Sequence, residues 1–370
     1  MQERNNKVMK KLDRYIGCPL VYVLGHLRKK NSFPVLPSQP RILLLKTAAI
    51  GDTILMEAII HEIKSAYPQS SITFVCSKSN IAMVKMLPDI DEVILFQMKK
   101  PFISLCQISK MDTFDLLLDF GPWPRINSVI SYFAPARFKI GFERKNMYRH
   151  YVYDAPVEHR DDLHEMDNYR NILRRAKIKI NGYNPCLPVE QKKILPYKDY
   201  IVFHMFPGGS SVLLRSWSDE NWLALGHELQ KRYECPIIFT GGPEDTAKAE
   251  QMADLFEKEG ISASSVAAKY PLSQMPSLLG QAKMVISVNT GIMHMSAAVG
   301  VPLIALHGAT SDLRWGPLSD KAIVVKSGEN CQPCISLGFE SHCQNPKCME
   351  HITVDMVLEK IDELGRRLQK

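Results

Sequence analysis

Short apolar runs recur along the chain, and most are followed by a segment of helical period. Arg41-Ile-Leu-Leu-Leu-Lys46, Ser71-Ile-Thr-Phe-Val-Cys76, Glu92-Val-Ile-Leu-Phe96 and Asp115-Leu-Leu-Leu-Asp119 read as parallel strands buried on both faces. Between them, Ile54, Leu55, Ala58, Ile59 and Ile63 repeat with helical spacing, and a short helix is expected over Ile81–Leu87. A polar stretch, Asp154–Lys198, carries Pro185, Pro188 and Pro196 and reads as an interdomain passage. The rhythm then restarts. Strands are expected at 200–204, 236–240, 284–288, 303–307 and 322–325. Helices are expected over 222–232, 244–259, from Gly291 and over 353–368, the last capped by Thr353 with Asp355 in its first turn. Strands alternating with helices predict an α/β fold of two doubly wound, Rossmann-like halves. Two such halves facing one another would leave a cleft at the carboxyl ends of their strands, a natural place for a two-substrate reaction.

The expected domains are a basic amphipathic extension over 1–36, a first Rossmann-like domain over 37–190, a second over 191–352 with a Cys-rich loop at 328–350, and a terminal helix over 353–370. The length of 370 residues suits two domains, and a 45% hydrophobic, 23% charged composition excludes a disordered or fibrous chain. No apolar run reaches the 18 or so residues of a spanning helix. The net charge of +7 permits an anionic partner without requiring nucleic acid. Much of the basic character lies at the start. Arg4, Lys7, Lys10, Lys11 and Arg14 precede the apolar stretch Tyr15–Leu27, and Arg28, Lys29 and Lys30 follow it, with no aromatic interleaving of the kind that reads nucleic acid. No small-residue cleavage site follows, so a signal peptide does not fit, and Pro19 is expected to kink any helix there. Residues 1–32 read either as a helix on an anionic membrane surface or as one packed on the protein itself.

The loops after the strand ends carry the chemistry. In Lys46-Thr-Ala-Ala-Ile-Gly51-Asp52, the aspartate is either a helix cap or a general base. Pro207-Gly-Gly-Ser210-Ser211, followed by Arg215 and Trp217, suits phosphate oxygens, with Arg215 as a bidentate cation. In Thr240-Gly-Gly-Pro-Glu244-Asp245 the acids can accept ribose hydroxyls or merely cap a helix. In Asn289-Thr290-Gly291-Ile-Met-His294 a helix N-terminus forms an anion site, and His307-Gly-Ala-Thr310 is a further Gly/Thr loop. None matches a Walker loop or GxGxxG. Most lie in the second half, which points to a phosphorylated ligand there.

In order and spacing these motifs, over about residues 40–365, resemble glycosyltransferase family 9, the bacterial heptosyltransferases of lipopolysaccharide core synthesis. The resemblance implies a GT-B fold with the acceptor on the first domain and the nucleotide-sugar on the second. It implies an inverting transfer that requires no metal, with Asp52 as base. Ser210, Ser211, Arg215, Thr290, Gly291 and His294 would hold the diphosphate of the donor, and Asp245, with Glu244 beside it, the ribose. ADP-heptose is the implied donor, and a lipid-linked or lipopolysaccharide acceptor the implied partner. The expected location is the cytoplasmic side of the inner membrane, with the enzyme bound peripherally. The chain departs from the family where Asn289 stands for an aspartate, where Ala48 and Ala49 stand for serines, and where Arg215 stands for a common lysine. A GT-B nucleotide-sugar epimerase would need acids on both faces of the sugar. A non-catalytic glycan- or nucleotide-binding protein would not need Asp52.

Nine cysteines is an odd count, and the scattered ones read as buried thiols in a reducing compartment. Cys331-x2-Cys334-x8-Cys343-x4-Cys348 is spaced for a structural zinc, with His342 and His351 as substitutes and disulfides as the alternative.

Overall fold

A computed structural model describes residues 11, 13–208, 212–335 and 343–369. The chain divides into two compact units, Met1–Pro185 and Cys186–Lys370.

The first unit opens with a π-helical turn, Asp13–Gly17, and helix α1, Cys18–Leu27. The strands are β1 Arg41–Leu45, β2 Ser71–Cys76, β3 Glu92–Leu95, β4 Phe114–Asp119, β5 Ala136–Glu143 and β6 Ala155–Glu158. The helices between them are α2 Ile50–Ala66, α3 Ile81–Val84, α4 Pro101–Ser109 and α5 Arg125–Phe133, with a 3-10 turn at Arg149–Val152. Helix α6, Glu165–Arg175, follows β6. The sheet order is β3-β2-β1-β4-β5-β6, all parallel. In β1, Ile42, Leu43, Leu44 and Leu45 are all fully buried, so the apolar run follows from helices covering both faces of the sheet.

The second unit repeats this order. Its strands are β7 Ile201–His204, β8 Ile237–Phe239, β9 Ala263–Ser265, β10 Met284–Val288, β11 Leu303–Leu306 and β12 Ala322–Val325. They are arranged β12-β11-β10-β7-β8-β9. The helices are α7 Asp219–Tyr233, α8 Thr246–Lys258, α9 Met275–Gly280, α10 Gly291–Ala298, α11 Asp312–Trp315, α12 Lys347–Glu350 and α13 Val354–Leu368. Phe203, Trp222, Phe239 and Phe256 form the aromatic centre of its core. Helix α13 packs Val357, Leu358, Ile361 and Leu364 into the same core, and its cap residue Thr353 accepts the Met356 N–H at 3.3 Å. In each sheet the order reverses direction between the first and fourth strands, which places the switch point at β1/β4 and at β7/β10.

Two expectations are corrected. The polar passage after Asp154 is not a linker at its start: it holds β6, an edge strand on β5, and α6. The hydrophobic side of α6 is narrow, with Met166, Tyr169, Ile172 and Leu173 buried among charged neighbours, so composition hid it. Nor does Pro19 kink a helix. It lies at the second position of α1, directly after the π-helical turn Asp13–Gly17, and it is the winding that changes there, from π to α.

Helix α1 is held on its own unit and also shows an apolar side to solvent. It packs on α5 and on the Arg149–Val152 turn. Asp13 pairs with Arg125, and Arg28 pairs with Asp154 at 2.7 Å. Tyr15, Ile16, Leu20, Val23 and Leu27 remain exposed. Close approach at Gly25 sets this docking, because a Cβ there would lie 2.3 Å from the Cβ of Tyr151. Gly25→Ala is therefore expected to destabilise the α1 packing by about 1–3 kcal/mol. Limited proteolysis should show faster cleavage in the stretch 28–40, and unchanged cleavage would refute the close-packing account.

Candidate functional site

At the carboxyl end of β1 the chain turns into α2, and Asp52 is the third residue of that helix. Its Oδ2 accepts the Ala49 N–H at 3.3 Å, so the capping reading of Asp52 is realised. The carboxylate also lies in a buried cluster that capping does not require. Lys46, 2% exposed, donates from Nζ to Asp52 Oδ1 at 3.3 Å, to the Phe120 carbonyl at 3.0 Å and to the Tyr169 hydroxyl at 2.6 Å. The Tyr169 hydroxyl donates in turn to Asp52 Oδ1 at 3.2 Å. A buried carboxylate is tolerated only with a compensating charge and hydrogen bonds, and Lys46 and Tyr169 supply both.

The turn itself is held from behind. The Thr47 carbonyl accepts Ser77 Oγ at 2.7 Å and Ser79 Oγ at 3.0 Å, and the Lys46 carbonyl accepts Asn80 Nδ2 at 2.9 Å. Thr47 Oγ1 donates to Asn127 Oδ1 at 2.8 Å, and Asn127 Nδ2 donates to Asp119 Oδ1 at 3.1 Å. Asp119, at the end of β4, accepts Arg149 Nη2 at 2.7 Å and the Tyr153 hydroxyl at 2.5 Å. Burial, with the Asp119 carboxylate alongside, raises the Tyr153 phenol pKa. Sequence reading missed Tyr169, Asp119, Asn127, Arg149 and Tyr153 as supports of this site. Lys46 stands inside a noted motif, but its partner Tyr169 lies on α6, more than a hundred positions away, and no local pattern links them.

In the second unit, Arg215 ends a 3-10 turn, Val212–Arg215. Its guanidinium donates to the Gly208 carbonyl on the β7 loop and, at 3.4 Å, to the Asn289 carbonyl on the β10 loop. It thus spans the switch point of this sheet. Trp217 of the same motif is structural: it is buried and donates to the Ile352 carbonyl at 2.7 Å. Thr290 is the N-cap of α10, yet its side chain makes no capping bond, and Oγ1 is buried without a hydrogen-bond partner among the described residues. Gly291 begins α10, and His294 is buried on it. Ser210 and Ser211 lie outside the described residues.

Asn289 Nδ2 donates to Thr310 Oγ1 at 2.8 Å and approaches His307 Nδ1 at 3.3 Å. Burial lowers the His307 pKa to about 4, so its imidazole is neutral at pH 7. The tautomer that fits its partners accepts from Asn289 at Nδ1 and faces Met293 Sδ with Nε2 at 3.3 Å. An amide N–H can donate to the bare ring nitrogen, whereas a carboxylate could only accept from a ring N–H. Asp245 closes its own loop: Oδ2 accepts the Gly242 N–H at 2.7 Å, and burial raises its pKa. Glu244, beside it, is exposed.

Of the cysteine set, Cys331 and Cys343 are exposed, Cys334 is half-buried and Cys348 is buried, all as free thiols. Burial, with the nearby Cys334, Cys331 and Cys343, raises the Cys348 thiol to about 11. Cys343 Sγ donates to the Asn345 carbonyl at 3.1 Å. Among the described residues no group of three or more His, Cys, Asp or Glu side chains is placed to hold a metal, so the zinc expectation gains no support; His342 lies outside those residues.

Two parallel six-stranded sheets with motif-bearing loops at the strand ends define a GT-B-type α/β transferase fold. Residues 113–344, more than half of the chain, match the family model for glycosyltransferase family 9 (heptosyltransferase), and the chain belongs to that family. It is 24% identical over 357 residues to the lipopolysaccharide core heptosyltransferase OpsX of Haemophilus influenzae, covering 90% of this chain and 99% of that one. Among solved structures, the family 9 glycosyl transferase of Veillonella parvula DSM 2008 aligns with a TM-score of 0.74 at 20% identity, over 92% of this chain and 100% of that one. The E. coli ADP-heptose LPS heptosyltransferase II aligns with a TM-score of 0.71 at 18% identity, over 89% and 99%.

The buried histidines give the second unit a pH dependence. Burial holds His204 and His307 down to about 4, below the ordinary 6.5. Between those values the unfolded chain binds protons that the folded unit refuses. Stability is therefore full above pH 6.5 and is lost as pH falls through that window, on the order of 3 kcal/mol per histidine once it is crossed. Denaturation midpoints of this unit should fall on acidification, and His307→Gln should flatten the fall. A midpoint unchanged from neutrality down to about pH 5 would contradict this account.

Proposed function

We propose that this family 9 enzyme transfers a heptose from ADP-heptose to a lipopolysaccharide-core acceptor, with inversion at the anomeric carbon. The donor and acceptor classes follow the names of the relatives, the lipopolysaccharide core heptosyltransferase OpsX and the ADP-heptose LPS heptosyltransferase II. The carrying observation is the end of β10: a helix N-terminus with a buried Thr290 hydroxyl that has no partner among the described residues, next to an arginine that ties two strand-end loops together. Backbone N–H groups and a guanidinium at one point favour a diphosphate, and they stabilise the charge that develops on it as it leaves.

In this reading the acceptor oxygen forms a bond to the anomeric carbon as the bond to the diphosphate breaks. The acceptor proton passes to Asp52, and ADP departs with the electron pair. Lys46 and Tyr169 orient the Asp52 carboxylate. Arg215, Thr290, Gly291 and His294, with Ser210 and Ser211, hold the diphosphate, and Asp245 and Glu244 take the ribose hydroxyls. Asn289 faces the sugar side of the same loop, where its neutral amide donates instead of accepting only. The exposed apolar side of α1 and its flanking Lys11, Arg14, Lys29 and Lys30 support a peripheral site on the cytoplasmic face of the inner membrane. Among the described residues no helix is long and apolar enough to cross a membrane.

Asp52→Asn is expected to lower kcat by roughly 10²–10⁴-fold while ADP still raises the melting temperature as in the parent protein. Arg215→Ala should do the reverse and weaken ADP binding roughly tenfold or more. Full turnover in Asp52→Asn would remove the base assignment, and an ADP shift unchanged by Arg215→Ala would remove the donor assignment.

A further inference from the structure

Helix α4 is apolar on the wrong side for a helix that only covers a sheet. Its inward face is Ser104, Leu105 and Ile108, with Ile108 in the core of the first unit. Its outward face is Phe102, 80% exposed, with Ile103 and Cys106 beside it, all at helical spacing. The helix cannot roll to hide them. Ser104 Oγ is buried and accepts the Gln97 N–H at 3.0 Å, Pro101 fixes the first turn, and Ile108 is locked among Leu43, Leu117 and Ile130. The exposed Phe and Ile are thus a consequence of a fixed orientation, and their burial by something else would be favourable.

The rim identifies what that is. Lys99 and Lys100 precede the helix and Lys110 follows it. All three are exposed, and none forms an ion pair with a described residue. Phe102, Ile103, Cys106, Gln107 and Lys110 line one shallow hollow. A second copy of the chain is a poor occupant: a two-fold contact through this face would set lysines against lysines over a nine-residue helix. Anionic lipid headgroups fit instead. They take the three ammonium groups while the Phe and Ile rings and branches enter the acyl boundary and the lysine stems lie along it. Helix α5 packs against both α4 and α1, so the two exposed apolar helices of this unit share one support.

We infer that α4 is a membrane-docking element, which seats the first unit on an anionic bilayer leaflet by Phe102 and Ile103 with Lys99, Lys100 and Lys110 as its basic rim. It deepens the peripheral membrane location proposed above and rests on that reading for the leaflet it meets. The test needs neither donor nor acceptor, so its failure leaves the transferase reading standing.

The full-length protein is sedimented with phosphatidylethanolamine vesicles containing phosphatidylglycerol, and separately with vesicles of phosphatidylcholine alone. Partition should favour the anionic vesicles. The double substitution Phe102→Glu/Ile103→Glu should lower it by roughly tenfold or more with an unchanged melting temperature, since both side chains are exposed. Lys99→Ala, Lys100→Ala and Lys110→Ala should each lower it roughly fivefold at low salt. Ile16→Glu/Val23→Glu reads the separate contribution of α1. Partition indifferent to the α4 substitutions overturns the proposal, whether or not α1 matters. So does a change in oligomeric state on Phe102→Glu/Ile103→Glu with vesicle binding retained, which would assign the face to a second copy.

Discussion

A parallel strand covered by helices on both sides leaves little room for polar side chains away from its ends, and that constraint places the candidate site of each unit. β1 is Ile, Leu, Leu, Leu to its last residue and then meets Lys46. β4 is apolar over Leu116, Leu117 and Leu118 and ends on Asp119. β10 is followed directly by Asn289 and β11 by His307. Because the strands are parallel, these ends fall on one edge of each sheet, and the reversal of strand order leaves space there for a ligand. The order of strands is the same in both units, so the same edge is available twice and has been given different chemistry in each.

That division also explains how much the sequence reveals. Central strand β5 escapes sequence reading because Arg137 and Lys139 break its run. The other central strands are legible, since burial on both faces makes them continuous apolar runs, and the glycines and acids after them mark the loops. The edge strands β6 and β9 are not. Ala-Pro-Val-Glu and Ala-Ser-Ser carry no run, since an edge strand is covered on fewer sides and tolerates polar residues and proline. Asp52, Arg215, Thr290 and Asp245 could be singled out because each stands in a local motif. The residues that hold Asp52 in place could not, since Lys46 meets Tyr169 on α6 and Thr47 reaches Asp119 only through Asn127. Such pairings exist only after the chain has folded. The orientation of α4 was likewise invisible: its sequence holds apolar residues on both sides, and only the buried bond of Ser104 shows which side faces out.

The two units compensate their buried polar groups in different ways. In the first, charge meets charge: Asp52 with Lys46, Asp119 with Arg149, and Glu62 with Arg170. Each carboxylate there would be costly to bury alone, and truncating either partner leaves an uncompensated charge. The end of β10 in the second unit is neutral instead, with Asn289, Thr310 and His307 joined through an imidazole that burial keeps unprotonated.

The neutral arrangement has a consequence for Arg215. An aspartate at position 289 would add a full negative charge to the loop whose carbonyl Arg215 already contacts, and an amide adds none. Arg215 donates to the Gly208 and Asn289 carbonyls, and these contacts fix the direction of its guanidinium. A cation so held can meet an incoming anion at little cost in reorganisation. Asn289 spends its amide on Thr310 and His307, so this loop end is joined without a carboxylate, next to the N-terminus of α10, where the Thr290 hydroxyl has no protein partner among the described residues.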